Sequence, residues 1–256
     1  MAKNRGNVGW HNTTVQIESA EQLLMMIELG TMNFQNAIGA GVTSISDNSS
    51  YNCSALTGST SILGNVSGHA TSSIVTKGDS STTYTANGYV SISYRGRENP
   101  YGNIYAFVEG MIIAGRGESK GGIPFICNSF AFPETSSTTA GTGTHDFTLN
   151  GYTSAGFTIT NADGYISAMG YGNELYDWLF VASECSGNST APVGDYTYKI
   201  TNLNGVRVAR LGGHWNDGAA AGSFDWALDG GLASRVRAVG GRAALIPRKL
   251  TRSILT

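Results

Sequence analysis

The sequence predicts an α+β fold, and three observations carry that expectation. A short apolar run near the N-terminus has helical spacing and a capping signal. The rest of the chain breaks into brief alternating segments separated by Gly, Ser, Thr and Asn. Charge is sparse as well: only 13% of the 256 residues are charged, against 35 glycines and 12 tyrosines. That balance suits strands joined by many turns, with a surface that bonds through hydroxyls and amides. Apolar residues make up 41% of the chain, enough to bury the core of one large domain or two small ones.

The elements follow in order. Residues 1–18 read as a polar, extended N-terminal arm, with Val15 and Ile17 alternating as in a short strand. Ser19-Ala-Glu-Gln22 has the capping-box pattern and opens a helix over 23–29. Leu23, Met26 and Ile27 share one face of it, and Gly30 ends it. Thr31 caps a second helix with Met32, Phe34 and Ile38 inward, stopped at Gly39-Ala-Gly41. The methionines read as core filling rather than a cofactor box. Residues 44–86 are too long for an ordinary connection. They are predicted to be an ordered, loop-rich insertion anchored by Tyr51, Leu56, Ile62, Leu63 and Val66. A second Ser/Thr/Gly block, 134–144, reads as an exposed loop or a subunit contact.

Period-two strands are predicted at 89–94, 146–149, 156–160, 165–168, 178–182 and 196–201, and Val206 and Val208 alternate in another. Finally, Phe224, Trp226 and Leu228 alternate with Ser223, Asp225, Ala227 and Asp229. A strand there buries the apolar trio and displays the other four. A single domain is expected over 19–248, followed by a tail at 249–256.

Several functions are disfavoured. A formal net charge of −2 gives no basic footprint for nucleic acid. No apolar run is long enough to cross a bilayer, so no membrane insertion is expected. Met1-Ala-Lys-Asn-Arg leads into polar residues, so no signal peptide is visible and synthesis in a cytoplasm is expected. Cys53, Cys127 and Cys185 are odd in number and far apart, which argues against a disulfide framework or a zinc site. His11, His69, His145 and His214 lack metal-ligand spacing, and no Gly-x-Ser-x-Gly elbow accompanies His145-Asp146. No catalytic residue, metal ligand or cofactor is expected.

Two motifs together carry a resemblance. Glu98-Asn-Pro-Tyr-Gly-Asn-Ile-Tyr-Ala-Phe-Val-Glu-Gly110 resembles the central segment of C-type-lectin-like domains of the formylglycine-generating-enzyme type. Val208-Ala-Arg-Leu-Gly-Gly-His-Trp215 is similar to that family's Arg-Gly-Gly-Ser-Trp strand, and Gly240-Gly-Arg-Ala-Ala-Leu245 to its closing strand. The resemblance covers mainly residues 89–247 and implies a C-type-lectin-like fold with two N-terminal helices, small mixed sheets and long ordered loops. Family members that are enzymes need reactive cysteines near the Arg-Gly-Gly-Ser-Trp strand, and this chain has none from Arg207 onward. The Trp-Asn-Asp string at 215–217 is also found in calcium-dependent lectins. Here its counterpart, Glu98-Asn-Pro100, lies over a hundred residues away with Asn and Pro exchanged, and no calcium site is expected.

Within that fold, residues 207–246 resemble the variable proteins of diversity-generating retroelements, a group that includes phage tropism determinants. Their Asn-rich template is rewritten at adenines. The positions matching its Asn slots are His214, Asn216, Asp217, Ala220, Asp225, Ala227, Asp229, Gly230, Ser234, Arg235 and Arg237. The glycines, Trp215, Phe224, Trp226, Leu228 and Arg242 match scaffold positions. The resemblance implies a non-enzymatic receptor-binding protein on a virion, in a tail fibre or on the capsid surface. Those eleven residues would contact a bacterial cell-surface protein or glycan. The N-terminal region would dock on other virion proteins, and the chain would form a homotrimer through 44–86. The alternative is a capsid-decorating or fibre protein with no receptor role.

Overall fold

The computed structural model describes residues 10–46, 53–115, 121–129, 151–172, 174–198, 205–231 and 234–246. The expected elements at 134–144, 146–149 and 249–256, and the anchor Tyr51, lie outside them. The fold is α+β: among the described residues there are two α-helices and many short, mostly antiparallel strands.

Strand β1 (Trp10–Asn12) is followed at once by helix α1 (Val15–Leu29). Thr14, not Ser19, is the N-cap, its hydroxyl accepting from Ile17 N at 3.3 Å. Val15 and Ile17 therefore belong to the helix and not to a strand. Gly30 ends it in the left-handed region at φ 65°, as the sequence indicates. The buried face is Val15, Glu18, Ser19, Gln22 and Met25, whereas Ile27 is 77% exposed. Partners elsewhere in the chain explain why a polar face is buried. Glu18 pairs with Arg97 at 2.7 Å, and Gln22 donates to the Ser223 carbonyl. Of the expected face, Leu23 and Met26 are half-buried against an apolar cluster and only Ile27 faces out. The fully buried face is turned inward by the bonds that Glu18 and Gln22 make to distant residues, although Ser19 Oγ and Gln22 Oε1 have no partner among the described residues. Helix α2 (Phe34–Ile38) is capped by Asn33 and not by Thr31, whose hydroxyl accepts from Asn33 N instead; Phe34 and Ile38 are buried as expected.

The insertion is more regular than its composition suggests. It supplies β2 (Ser54–Ala55), β3 (Gly68–His69), β4 (Ser73–Lys77) and β5 (Ser80–Tyr84). Strands β2, β4 and β5 form one sheet, and β3 pairs with β6 (Ile92–Tyr94), which turns into β7 (Arg97–Glu98). Its buried anchors are Cys53, Ala55 and Val75, packed on Val42, Ile45 and Trp215. Leu56, Ile62 and Val66 are exposed, Ile62 by 73%, so the insertion is held by its small strand residues and not by its largest apolar ones.

The main sheet centres on β8 (Tyr105–Gly115). It pairs with β9 (Gly122–Ile126), itself extended by β10 (Thr153–Ser154). The expected strand at 156–160 makes only an isolated bridge, Gly122 to Ile159. Short pairs follow: β11 (Gly164–Tyr165), β12 (Ala168–Gly170), β13 (Val181–Glu184) and β14 (Tyr196–Thr197), with β12 on β13 and β11 on β14. Strand β15 (Gly205–Leu211) then lies antiparallel along β8, with a register shift between Val208 and Ala209. Strand β16 (Trp226–Ala227) pairs with β15, β17 (Val239–Gly241) runs parallel to the start of β8, and β18 (Ala243–Leu245) returns to β1. Val108, Met111, Ile113, Leu179, Leu211, Trp226 and Leu228 are among the residues of the largest apolar cluster.

One expectation about the C-terminal strand is overturned. Phe224, Trp226 and Leu228 are buried, but so are Ser223, Asp225 (0% exposed) and Ala227 (3%); of the four residues expected outside, only Asp229 is exposed. Both faces of this segment are covered. Ser223 meets Met25 of α1, and Ala227 lies between Arg210 of β15 and a bridge to Tyr198.

Candidate ligand-binding site

The site is built where β15 ends in a double-glycine turn. Gly212 and Gly213 both take positive φ, 108° and 78°. At Gly213 an added Cβ would sit 2.5 Å from Ala221 Cβ and 2.8 Å from Asp225 Oδ2, so only glycine fits. Backbone bonds hold the turn to the chain around it: Gly102 N donates to Gly212 O at 2.7 Å, and Gly212 N to Asp225 O at 3.0 Å. Beyond it, Trp215 N donates to Asn103 O at 3.2 Å. The turn thus delivers His214 to the surface on a backbone fixed from two sides.

His214 stacks on the buried Trp215 ring, centroids 5.1 Å apart, and meets Tyr105 edge-on at 5.6 Å. Its backbone N–H donates to Asp217 Oδ2 at 2.7 Å. Its Nδ1 lies 3.1 Å from Asp217 Oδ1 and 3.2 Å from Asn216 N. Protonated at Nδ1, the ring donates to Asp217; deprotonated there, it accepts from Asn216. Arg210 of β15 lays its guanidinium 5.7 Å from the Tyr105 ring centroid and pairs with Asp229.

Beneath them, the Tyr105 hydroxyl donates to Asp225 Oδ2 at 3.0 Å. Burial, and after it the charge of Asp217, push the Asp225 carboxyl well above the usual carboxylate range. Asp217 is raised too, by burial, against the lowering pull of His214. Tyr105 and Tyr198 are raised first by burial and then by these carboxylates.

Two adjoining depressions result. The larger, about 530 Å³, is lined by Tyr105, Arg210, His214, Trp215 and the segment 236–239, which includes Arg237. The smaller, about 220 Å³, shares Tyr105, Arg210 and His214 and adds Tyr198, Asp217, Ala227 and Asp229. Of the residues expected to bind, His214, Asp217, Ala227, Asp229 and Arg237 therefore come together. Gly230 is buried against Arg210, where an added Cβ would lie 3.1 Å from Nε. Asp225 forms the floor and is not displayed, because the sheet and the double-glycine turn close over it. Asn216, Ala220, Ser234 and Arg235 line neither depression, although Arg235 is exposed.

Sequence reasoning missed Tyr105, Tyr198, Arg210 and Val236. Arg210 had a usable signal: it alternates with the buried Ala209 and Leu211, which turns it to the opposite side of β15. Tyr105 had none, since it reaches the site from β8 and its neighbours there are set by strand pairing. Among the described residues no group of three or more His, Cys, Asp or Glu side chains is arranged to hold a metal. The cysteines form no disulfide, and burial pushes the Cys185 thiol up to about 11.

No protein-family model matches the chain, and no curated protein matches it in sequence. The functional reading therefore rests on the site's own geometry and on the motifs that frame it.

Proposed function

We propose that this chain is a non-enzymatic adhesin on a C-type-lectin-like scaffold, carried on a phage particle, that binds a bacterial surface protein or glycan. One observation carries the reading. Arg210, His214 and Arg237, from three segments of the C-terminal region, converge on the larger depression, whose backbone is fixed from below. Such a surface enters binding already ordered, so less conformational entropy is lost on association. Exposed Arg and half-buried His and Asp beside apolar walls suit adaptable recognition. Of the two motifs that carry the resemblance, Gly212-Gly213 form the turn at the site, and Gly240-Gly241 lie on β17 beside the start of β8. Many copies on one particle would multiply weak single contacts.

The second reading, a capsid-decorating or fibre protein, is favoured by the insertion. Leu56 and Ile74 are both exposed and adjacent, Leu56 N donating to Ile74 O at 2.9 Å, and Ile62 and Val66 are exposed beyond them. Such apolar surface suits an assembly contact, and a homotrimer through the insertion is compatible with either reading.

Adsorption separates the two. Purified, fluorescently labelled protein is applied to a panel of whole bacterial strains beside the double variant His214→Ala, Arg237→Ala. The adhesin reading expects adsorption to at least one strain, with most of it lost in the variant at unchanged melting temperature. Adsorption equal in the two proteins, or absent from every strain, leaves the structural role as the better account.

A further inference from the structure

The two depressions differ in charge. The larger is lined by two guanidinium groups, Arg210 and Arg237, and by the His214 imidazole, and none of its described lining residues is acidic. Its remaining walls are the Tyr105 and Trp215 rings, Val236, Ala238 and Val239. The smaller shares Arg210 and His214 and adds the carboxylates of Asp217 and Asp229. Arg210 stands between them, facing both, with Asp229 bonded to one of its terminal nitrogens. The wider region leans the same way. Residues 205–246 hold five arginines against three aspartates, a formal +2 in a chain whose total is −2. Burial favours the neutral form of Asp225, the carboxyl beneath, which leaves the guanidinium groups less opposed.

We infer that this site takes a carboxylated sugar unit, its carboxylate between Arg210 and Arg237 and its ring hydroxyls turned toward Asp217 and Asp229. The inference rests on the adhesin reading and names the chemistry of its ligand. A guanidinium matches a carboxylate in geometry and offers charge-assisted hydrogen bonds. Ionised Asp side chains only accept, so the neighbouring depression calls for donors, and sugar hydroxyls supply them next to a ring carboxylate. The apolar wall of the larger depression suits the C–H face of the same ring. An acidic peptide would satisfy the arginines but would bring further carboxylates or carbonyl acceptors toward Asp217 and Asp229. A neutral sugar would suit the aspartates but would bring no carboxylate to the two guanidinium groups that line the larger depression.

The test is calorimetric titration of the purified full chain with oligomers of galacturonate, glucuronate and sialate. The matching methyl esters keep the sugar body and lose the charge, and triglutamate serves as the peptide arm. The expected result is saturable binding of at least one carboxylated sugar. Its ester should bind at least about tenfold more weakly, as should the acid form to Arg237→Gln, and added salt should weaken the acid form. Arg237 is exposed, so an unchanged melting temperature shows that the variant is folded. The inference is overturned if no carboxylated sugar binds, if the ester binds as well as the acid, if triglutamate binds as well as the sugar, or if Arg237→Gln keeps full affinity. Cell adsorption that is lost in the His214→Ala, Arg237→Ala variant while these titrations stay silent would overturn the carboxylated ligand and leave the adhesin reading in place.

Discussion

Replacing Asp225 by asparagine tests the electrostatics under the site. Asp225 is fully buried, its Oδ2 accepting from Tyr105 and its Oδ1 without a partner among the described residues. Burial raises its pKa well above the usual range, and burial does the same to Asp195, whose Oδ2 accepts from Phe224 N at 2.8 Å. In the unfolded chain both carboxyls release their protons near the ordinary value of about 3.9. Above that value the native state holds protons that the unfolded chain has lost. The stabilisation is therefore complete below about pH 4 and is lost as pH rises through the raised native pKa. One such proton changes stability by about 1.4 kcal/mol per pH unit, and two by about 2.7 kcal/mol. Asp225→Asn removes one of them. At mildly acidic pH the variant should be less stable by about 1–3 kcal/mol, because the amide donors at the Oδ1 position find no acceptor. The deficit should shrink and then reverse at alkaline pH, the difference moving by up to about 1.4 kcal/mol per pH unit. Glu28 works in the opposite sense, its pKa lowered by the Tyr94 hydrogen bond and then by Arg95, but it is common to both proteins and cancels in the difference. Urea melts at intervals from about pH 4.5 to about pH 9 measure that difference. Parallel stability curves would refute the reasoning, because Asp225 would then titrate alike in the native and unfolded states.

Two further substitutions probe the frame. Gly213→Ala places a methyl 2.5 Å from Ala221 Cβ at a left-handed φ, and should cost about 2–5 kcal/mol in urea melts. A cost below about 1 kcal/mol would mean that the turn relaxes freely. On helix α1, Met25→Ala should cost about 2–5 kcal/mol, while Ile27→Ser should stay within about 0.5 kcal/mol, the two differing because Met25 is fully buried and Ile27 is 77% exposed. The reverse order of costs would show that the helix packs by the face its hydrophobicity suggests.

What the sequence made legible was local. Gly30 stops α1 through its own backbone freedom, and β15 shows itself by alternation, because both signals lie within a few residues. The start of α1 was not legible, since Thr14 and Ser19 are equally good caps and a buried Glu18 is explained by the distant Arg97 together with Thr13. The same limit hid the true face of residues 223–229. A charged residue in an alternating run reads as outward, yet Asp225 points into a core closed by Tyr105, over a hundred residues earlier in the chain. Half the site was legible for the same reason. His214, Asp217, Asp229 and Arg237 belong to one contiguous segment, whereas Tyr105 and Tyr198 join them only through the pairing of β8 with β15 and β17 and the bridge from Tyr198 to Ala227.

The burial pattern also divides eight of the eleven residues by how freely each could change. Arg235, Arg237 and Asp229 are exposed; replacing residues such as the two arginines typically shifts stability by no more than about 0.5 kcal/mol, while an exchange at Asp229 also removes the partner of Arg210. His214 and Asp217 meet through both backbone and ring, so an exchange at one alters the other. Asp225, Ala227 and Gly230 are packed from several sides, and a larger side chain at any of them displaces Tyr105, Tyr198 or Arg210. If the rim of this site varies from one relative to another, variation should concentrate at the first group and spare the last. Arg210 stands outside all three groups, on the regular strand β15, bonded to Asp229 and covering Tyr105. Its positive charge belongs to the frame. On the proposal of a carboxylated ligand, exchanges around it would change which anion is preferred without removing the preference for one.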